Sequence, residues 1–188
     1  TFVIREGDRY RVGSVTFQGN TVFREDQLRG NMLLQPGNWF TESAVKHDEN
    51  AIQQELYGGE GYIQAQVSIT RSFADEKATV NVTVIIQEGR RIIVGRIDIV
   101  NNEITHEKVI RRELQLAPEQ PYSLPDEQQS IAQLMNTGLF RKVEINPAAQ
   151  GAGDHRNVLV RVEEGNTTSF LIGLGASSDS GIFGTISI

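Results

Sequence analysis

The residues with the greatest capacity for chemistry are scattered along this chain of 188 residues. Its histidines are His47, His106 and His155. None of them is accompanied by a second ligand at a spacing typical of a metal site, so we interpret them as solvated surface residues. The carboxylates of Asp75-Glu76 and Glu163-Glu164 fall in a predicted turn and at a predicted strand end, where no cleft supports general acid–base catalysis. The sequence therefore predicts a protein that is not an enzyme and that holds no metal or cofactor.

Composition and motif context exclude further classes of function. The net charge is −6, and no basic stripe is present, which argues against binding of nucleic acid. The absence of cysteine excludes disulfides and thiolate zinc sites. Gly173-Leu174-Gly175 does not open a helix after a buried strand, so it does not predict a dinucleotide site. A run of about 18 apolar residues, which a membrane-spanning helix needs, is also missing from the sequence.

The dipeptide Glu-Gly ends three alternating apolar runs and reveals a repeat. It is found at Glu6-Gly7, Glu88-Gly89 and Glu164-Gly165. The segments that follow the first two, residues 9–17 and 91–99, share an arginine, a glycine and the same apolar alternation. A period of roughly 80 residues is that of a small domain copied in tandem rather than of a solenoid turn. Each copy is expected to have a small core and modest stability.

Within each copy, the pattern predicts the order strand, helix, helix, strand, strand. Gly13 and Gly95 shift the alternation of the first strand and predict a β-bulge in each copy. Thr41 and Ser123 are suited to cap the N-termini of the longer helices. Residues 80–86 are the most continuously apolar run, which places the third strand in the centre of a three-stranded sheet and the second strand at an edge. The predicted fold class is α+β, with two helices covering one face of a mixed sheet.

The last residues, 166–188, follow a different pattern. Apolar residues alternate with small or polar ones on both sides of Asp179-Ser180-Gly181. An apolar outer face and a small or polar inner face, in strands of about ten residues, are typical of a transmembrane β-barrel. A soluble β-hairpin is the alternative. Because the chain begins at Thr1 and ends at Ile188 inside strand-like runs, we interpret it as an internal part of a longer protein.

The order of the elements and several local motifs resemble POTRA domains, the polypeptide-transport-associated modules that precede the barrel in the BamA family of outer-membrane assembly factors. The motifs are the turns Gly19-Asn20 and Asn101-Asn102, the step Gly138-Leu139-Phe140, and the junction-like stretch 166–181. Ile92-Ile93 departs from the usual polar-aromatic opening of the domain. The resemblance covers essentially the whole chain.

The resemblance implies a division of the chain into four parts. Residues 1–7 would end a preceding POTRA domain, residues 8–89 and 90–165 would be the last two POTRA domains, and residues 166–188 would be the first strands of a truncated outer-membrane barrel. The implied location is the periplasmic side of the bacterial outer membrane. The implied function is to receive unfolded outer-membrane proteins and pass them to the barrel. Two alternatives remain: the POTRA region of a polypeptide transporter (two-partner secretion or chloroplast import), and a passive structural spacer.

An edge strand with unpaired main-chain groups can accept an extended segment with little dependence on its sequence. This property suits unfolded β-barrel proteins, whose strands share alternation more than identity. Residues 63–70 are the predicted edge in the first copy, and residues 142–146 in the second. In the first copy the polar side chains that would face solvent at the binding edge are Gln64, Gln66, Ser68 and Thr70.

The family resemblance implies a second binding surface. In BamA-type proteins the last POTRA domain contacts a periplasmic lipoprotein, and an Arg-Arg-Glu stretch of that domain matches Arg111, Arg112 and Glu113. The resemblance therefore implies that these three residues dock a BamD-like periplasmic lipoprotein. A solvated charge cluster on a short helix is the alternative interpretation.

Overall fold

The chain folds as two α+β domains that follow one another, and this part of the predicted fold class is confirmed. The computed structural model describes residues 9–74, 78–148, 153–165, 171–177 and 181–187, the last two ranges by their backbone alone. The predicted end of a preceding domain, residues 1–7, lies outside the described residues.

The first domain contains three strands and two helical segments in the predicted order. They are β1 (Arg11–Gln18), α1 (Glu25–Gly30), α2 (Glu42–Asn50), β2 (Gln66–Ala74) and β3 (Thr79–Gln87). Helix α2 continues without a break as a π-helix over Ala51–Tyr57.

The second domain repeats this order. Its elements are β4 (Ile93–Val100), α3 (Glu107–Glu113), α4 (Leu124–Asn136), β5 (Phe140–Pro147) and β6 (His155–Glu164). Across the described ranges, no helix combines the length and the apolar character needed to cross a membrane.

Both sheets place the third strand of the domain in the centre, as the apolar runs predict. The strand orders are β1-β3-β2 and β4-β6-β5, and each central strand is parallel to the first strand and antiparallel to the second. The central strands supply fully buried valines to the two cores: Val80, Val82, Val84, Val158 and Val160. Burial of each such side chain stabilises the fold by about 1.5–3 kcal/mol. The second strand of each domain, β2 or β5, therefore lies at an edge.

A β-bulge interrupts β1 and β4 at the predicted glycines. The parallel pairing shifts register at Gly13 in β1 and at Gly95 in β4. An asparagine of the central strand fills the first bulge, because Asn81 Oδ1 accepts a hydrogen bond from Ser14 N at 3.1 Å. Asn157 takes the same place in the second domain. A Cβ atom at Gly13 would lie 2.7 Å from Asn81 Oδ1, so glycine is needed to make room for this side chain.

The longer helices begin at the predicted cap residues. Thr41 Oγ1 accepts a hydrogen bond from Ala44 N at 3.1 Å, and Ser123 Oγ accepts one from Asp126 N at 3.2 Å. Each cap satisfies one of the main-chain donors that the first turn of a helix leaves unpaired.

A buried polar residue on each longer helix holds the segment that precedes the helix. Asp48 is 0% exposed, and its carboxylate accepts hydrogen bonds from Leu33 N at 2.7 Å and Leu34 N at 2.9 Å. At the equivalent position of α4, Ser130 Oγ accepts from Gln115 N at 2.8 Å. Asp48 and Ser130 therefore mark equivalent positions on α2 and α4.

Direct contacts join the two domains. Ile92 N donates to Gly61 O at 2.8 Å, and Arg91 Nε donates to Glu60 O at 2.8 Å. Ile63, a residue of the first domain, packs against the core of the second. No flexible spacer separates the domains, so their orientation is constrained by these contacts.

The chain ends in a two-stranded antiparallel sheet. Its strands are β7 (Leu171–Ser177) and β8 (Gly181–Ser187), with Leu174 opposite Gly184. The assignment of residues 166–188 to an outer-membrane barrel stays a prediction. Residues 166–170, 178–180 and 188 of that segment lie outside the described residues.

Candidate functional site

The histidines do not converge on a common site. His47 Nδ1 lies 3.1 Å from Asp48 Oδ1, and His155 Nε2 lies 3.3 Å from Glu119 Oε2 on another surface. In the part of the chain that the structure describes, no three His, Asp or Glu side chains gather closely enough to hold a metal ion. The sheet edges and the helix surfaces are therefore the candidate binding sites.

The glutamate of the recurrent Glu-Gly motif accepts hydrogen bonds that join the end of the central strand to other parts of its domain. Glu88 Oε1 accepts from Thr21 N at 2.6 Å, Val22 N at 2.8 Å and the Tyr57 hydroxyl at 2.8 Å, and its Oε2 accepts from the Thr21 hydroxyl. Partial burial is the largest single influence on the Glu88 pKa and raises it. The hydrogen bonds from Thr21, Val22 and Tyr57 together outweigh burial and hold the pKa below its usual value.

The second domain repeats this arrangement, but the donors to Glu164 among the described residues include no tyrosine. Glu164 Oε1 accepts from Thr105 N at 2.6 Å, and its Oε2 accepts from Ile104 N at 3.0 Å. The hydrogen bond from the Thr105 side chain and those from the amides lower the pKa of Glu164. In both domains the end of the central strand is thereby tied to the turn between the first strand and the first helix. We call this arrangement the carboxylate clasp. It gives Glu88 and Glu164, the glutamates of two of the Glu-Gly dipeptides, the same structural role.

Three of the four predicted edge residues lie on β2. Gln66, Ser68 and Thr70 belong to the strand and have exposed side chains. Gln64 lies in the turn that precedes the strand, because β2 begins at Gln66. Their exposure agrees with the predicted solvent face of an edge strand.

The main-chain groups of β2 that point away from the sheet belong to the alternate residues. Val67 N donates to Gln53 Oε1 at 3.3 Å and Ile69 N donates to Glu49 Oε1 at 2.9 Å, so both amides point away from β3. In an antiparallel pair the hydrogen-bonding direction alternates along the strand. Gln66, Ser68 and Thr70 therefore direct their main-chain groups towards β3, and their side chains alone are free to contact a ligand.

The later half of β2 has outward amides beside an exposed aromatic ring. By the same alternation, Arg71 and Phe73 direct their amides outward. Phe73 is 47% exposed and makes an edge-to-face contact with Phe40, with ring centroids 5.9 Å apart. Arg71 is engaged by Glu42 at 2.6 Å. The edge of the first domain is therefore divided into a capped half and a half flanked by aromatic and charged side chains.

In the described part of the second domain, the edge strand has no caps of this kind. Ala148 N donates to Asn157 O at 2.7 Å, which fixes the alternation and turns the main-chain groups of Val143 and Ile145 outward. No side chain among the described residues accepts a hydrogen bond from either amide. Pro147, at the end of β5, has no amide hydrogen and limits the open stretch.

The predicted docking residues on α3 differ in how they are engaged. Arg111 donates through Nε to Glu107 Oε1 at 2.6 Å and through Nη2 to Ile97 O at 2.9 Å. Arg29 makes equivalent bonds in the first domain, to Glu25 and to a carbonyl oxygen of β1. Arg111 therefore has a structural role that both domains share.

Arg112 and Glu113 are specific to the second domain, because Gly30, the last residue of α1, and Asn31, which follows it, occupy the equivalent positions in the first domain. Arg112 Nε donates to Glu113 Oε1 at 2.7 Å, and the Arg112 side chain is 69% exposed. Ile104, just before α3, is 84% exposed. Helix α3 thus presents an ion pair close in sequence to an exposed apolar side chain, a combination that suits contact with another protein.

Comparison with known proteins identifies the class to which this tandem fold belongs. The sequence model of the POTRA family, described as a surface antigen variable number repeat, matches residues 10–89 and 92–165. The chain therefore belongs to the POTRA family and contains two POTRA domains in tandem. The predicted recognition of such domains is confirmed.

Its relatives include outer membrane protein assembly factors named BamA. The protein of that name from Neisseria meningitidis serogroup B is 29% identical over 182 residues, which are 95% of this chain and 23% of the relative. BamA of Nitratidesulfovibrio vulgaris is 24% identical over 191 residues, with 99% and 24% covered. The chain thus spans about a quarter of the length of these curated relatives.

Solved structures include a similar chain. The crystal structure of BamA from Haemophilus ducreyi lacking POTRA domains 1–3 superposes with a TM-score of 0.78 and 26% identity, over 92% of this chain and 33% of that one. POTRA domains 3–5 of Haemophilus influenzae BamA match with a TM-score of 0.55 and 18% identity, over 87% of this chain and 100% of that chain, which supports the fold.

Proposed function

We propose that this chain is the membrane-proximal periplasmic part of an outer-membrane protein assembly factor. The observation that carries the proposal is the similarity to BamA over 95% of the chain. A similar solved structure lacks POTRA domains 1–3, which supports the assignment of the two domains here as the last two before the barrel. In this position the domains would stand between the periplasm and the site of membrane insertion.

The proposed mechanism is non-covalent. An unfolded outer-membrane protein offers extended segments whose side chains alternate and whose main-chain groups are unpaired. An edge strand with outward amides and carbonyls can add such a segment as a fourth strand of its sheet. The outward groups of Val143 and Ile145, and those of Arg71 and Phe73, support this mode of binding. Solvent-facing Gln66, Ser68 and Thr70 would border a segment bound on β2.

Helix α3 supplies the proposed docking surface for a periplasmic lipoprotein. Because Arg111 is held by Glu107 and by the main chain of β4, the contact is assigned mainly to Arg112 and Glu113. An ion pair on the surface contributes little to folding, so its two charges are available to exchange partners at an interface.

Two other functions are distinguished by what the chain binds. A polypeptide transporter would prefer segments of its secreted or imported substrate to strands of membrane barrels. A passive spacer would bind neither. BamA-type relatives over nearly the whole chain favour assembly over both alternatives.

Binding of a synthetic peptide that copies one transmembrane strand of an outer-membrane protein provides the test. When the full ¹⁵N-labelled chain is titrated with this peptide, we expect amides of an edge strand to exchange with solvent at least about tenfold more slowly, because an added strand satisfies them. Hydrogen exchange followed by NMR is the measurement. A peptide of the same composition without alternation is the control. Equal protection by both peptides, or protection confined to the helices, would contradict edge binding.

Reversal of the Glu113 charge is expected to weaken lipoprotein docking. In Glu113→Lys the ion pair with Arg112 is replaced by two like charges, so a partner arranged to meet this pair should be retained about tenfold less well. Co-purification of the lipoprotein with the full-length assembly factor is the measurement. Asn31→Lys introduces the same charge at the equivalent position of the first domain and is the matched control. Unchanged retention in Glu113→Lys would remove α3 from the interface.

A further inference from the structure

Residues on the two longer helices can be placed at equivalent positions from their burial and hydrogen bonds. Asp48 on α2 and Ser130 on α4 are both 0% exposed, and both accept from amides of the segment before their helix. One turn further along, Ile52 and Leu134 are both 0% exposed in the cores. The residues that directly follow each pair must therefore face the same way in the two domains.

In the first domain these following residues cap the sheet edge. Glu49 accepts from Ile69 N at 2.9 Å and Gln53 accepts from Val67 N at 3.3 Å. The two side chains occupy the positions that carbonyl oxygens of an added strand would take. An incoming strand must displace both of them before it can pair with this half of β2.

In the second domain the equivalent residues are apolar. Ile131 takes the place of Glu49 and has no acceptor atom, and Met135 takes the place of Gln53 and offers only a thioether sulfur, which is a weak acceptor. Met135 is 38% exposed, and Ile131 is half-buried at the margin of the core. The outward amides of Val143 and Ile145 are thus not capped by any side chain of the described residues, and they lie beside a helix with an apolar flank.

We propose that β5 and α4 of the second domain form the strand-binding groove of this chain, and that Glu49 and Gln53 keep the equivalent groove of the first domain closed. This inference rests on the proposed edge binding and adds which edge is used. It also assigns to Glu49 and Gln53 a role in directing clients towards the domain next to the barrel.

The polarity of the groove selects its occupant. On the helix side an added strand would meet Met135, whose flexible thioether adapts to apolar side chains of different shape. On the open face of the sheet it would meet Lys142 and Glu144, which are exposed and half-buried respectively and form an ion pair at 2.6 Å. A strand alternates its side chains between two faces. The occupant is therefore an extended segment in which apolar and polar residues alternate.

A spin-labelled ten-residue peptide that alternates valine and threonine is the probe. Added to the ¹⁵N-labelled full chain, it should broaden the amide signals of Val143 and Ile145 and leave those of Val67 and Ile69 sharp. The closing variant Ile131→Glu/Met135→Gln gives the second domain the caps of the first. We expect it to weaken peptide binding about tenfold, because the caps compete for the same amides.

The reciprocal variant makes the test independent of how well the closing variant folds. Glu49→Ile/Gln53→Met removes the caps from the first domain, and the peptide should then broaden Val67 and Ile69 as well. Broadening of Val67 and Ile69 in the unaltered chain, or undiminished affinity in a folded closing variant, would overturn the choice of edge while leaving edge binding intact. Absence of binding at every edge would instead remove the proposed function. Concentration-dependent broadening of Val143 and Ile145 without peptide would identify a second copy of the chain as the occupant and overturn the proposal.

Discussion

Gly19→Ala is expected to destabilise the first domain by about 3 kcal/mol or more, a large share of the stability of a domain of this size. Gly19 directly follows β1 and has φ at +85°, in the left-handed region where a residue with a Cβ atom loses about 1–2 kcal/mol. A Cβ atom at this position would also lie 2.1 Å from the carbonyl oxygen of Ile86 in the central strand. Because both groups belong to the main chain, the overlap can be relieved only by moving the turn or the strand.

The same domain contains a matched control. Gly37 has φ at +89°, but no atom lies within 4 Å of the position that its Cβ would take. Gly37→Ala should therefore report the backbone strain alone, about 1 kcal/mol. Urea unfolding followed by the fluorescence of Trp39, the single tryptophan, reports on the first domain. An equal loss of unfolding free energy in the two variants would mean that the turn moves away from Ile86 at no energetic cost.

The equivalent turn of the second domain illustrates what the sequence can reveal about such a position. Asn101 replaces Gly19 there, with φ at +67°. Glycine and asparagine are the residues that adopt the left-handed conformation most readily, so both sequences are compatible with the observed turn. The close approach of Gly19 to Ile86 depends on how the turn packs against the central strand, and the residue types of the turn do not determine that packing. The sequence therefore predicted the turn, and the structure was needed to show its left-handed conformation and to distinguish the two glycines of the first domain.

The strands, the strand order and the bulges could be predicted from the alternation of apolar residues and from the repeat of the pattern in the two copies. Alternating runs identified the strands, the most continuous run identified the central strand, and Gly13 and Gly95 identified the bulges, all of which the structure bears out. These features are local or depend on burial, and burial leaves a periodic trace in a sequence.

The candidate edge site was harder to predict because both the side chains and the main-chain hydrogen-bonding groups of an edge strand alternate in direction. Side-chain alternation assigned Gln66, Ser68 and Thr70 to the solvent face. Main-chain direction alternates with the same period, but its phase depends on the register with β3, which no single strand specifies. The caps from Glu49 and Gln53 depend in addition on the distance between α2 and β2. A comparison of the two copies would have pointed to Ile131 and Met135 as departures from a polar pair.

On helix α3 the sequence offered two similar candidates that only the fold distinguishes. Arg111 and Arg112 are neighbours of the same type, and the sequence gives no reason to separate them. In the fold one of them reaches the main chain of β4 and the other remains in solvent. Repetition within the chain is the available signal, since Arg29 marks the shared structural position and Gly30 marks the variable one. On α3 the position that varies between the two copies is therefore the one we assign to the proposed partner contact.

Glu88→Ala is expected to destabilise the first domain by about 2 kcal/mol, through loss of the carboxylate clasp. The Thr21 and Val22 amides and the Tyr57 hydroxyl lose their common acceptor. The two amides lie in an exposed turn and can bond to water, whereas the Tyr57 side chain is 0% exposed. Glu164→Ala should affect the second domain less, since its clasp lacks a tyrosine donor. Glu55→Ala, at an exposed position of the π-helix, controls for the change in net charge.

The clasp also predicts a pH dependence. The pKa of Glu88 is lower in the folded domain than the value of about 4.3 usual for an unfolded chain. Its stabilisation is therefore complete above that value and is lost as the pH falls through the lower pKa of the folded state. Between about pH 5 and pH 3 the unaltered domain should lose more stability than Glu88→Gln, which cannot ionise. Parallel pH profiles of the two proteins, measured by urea unfolding at each pH, would mean that the carboxylate charge does not stabilise the clasp.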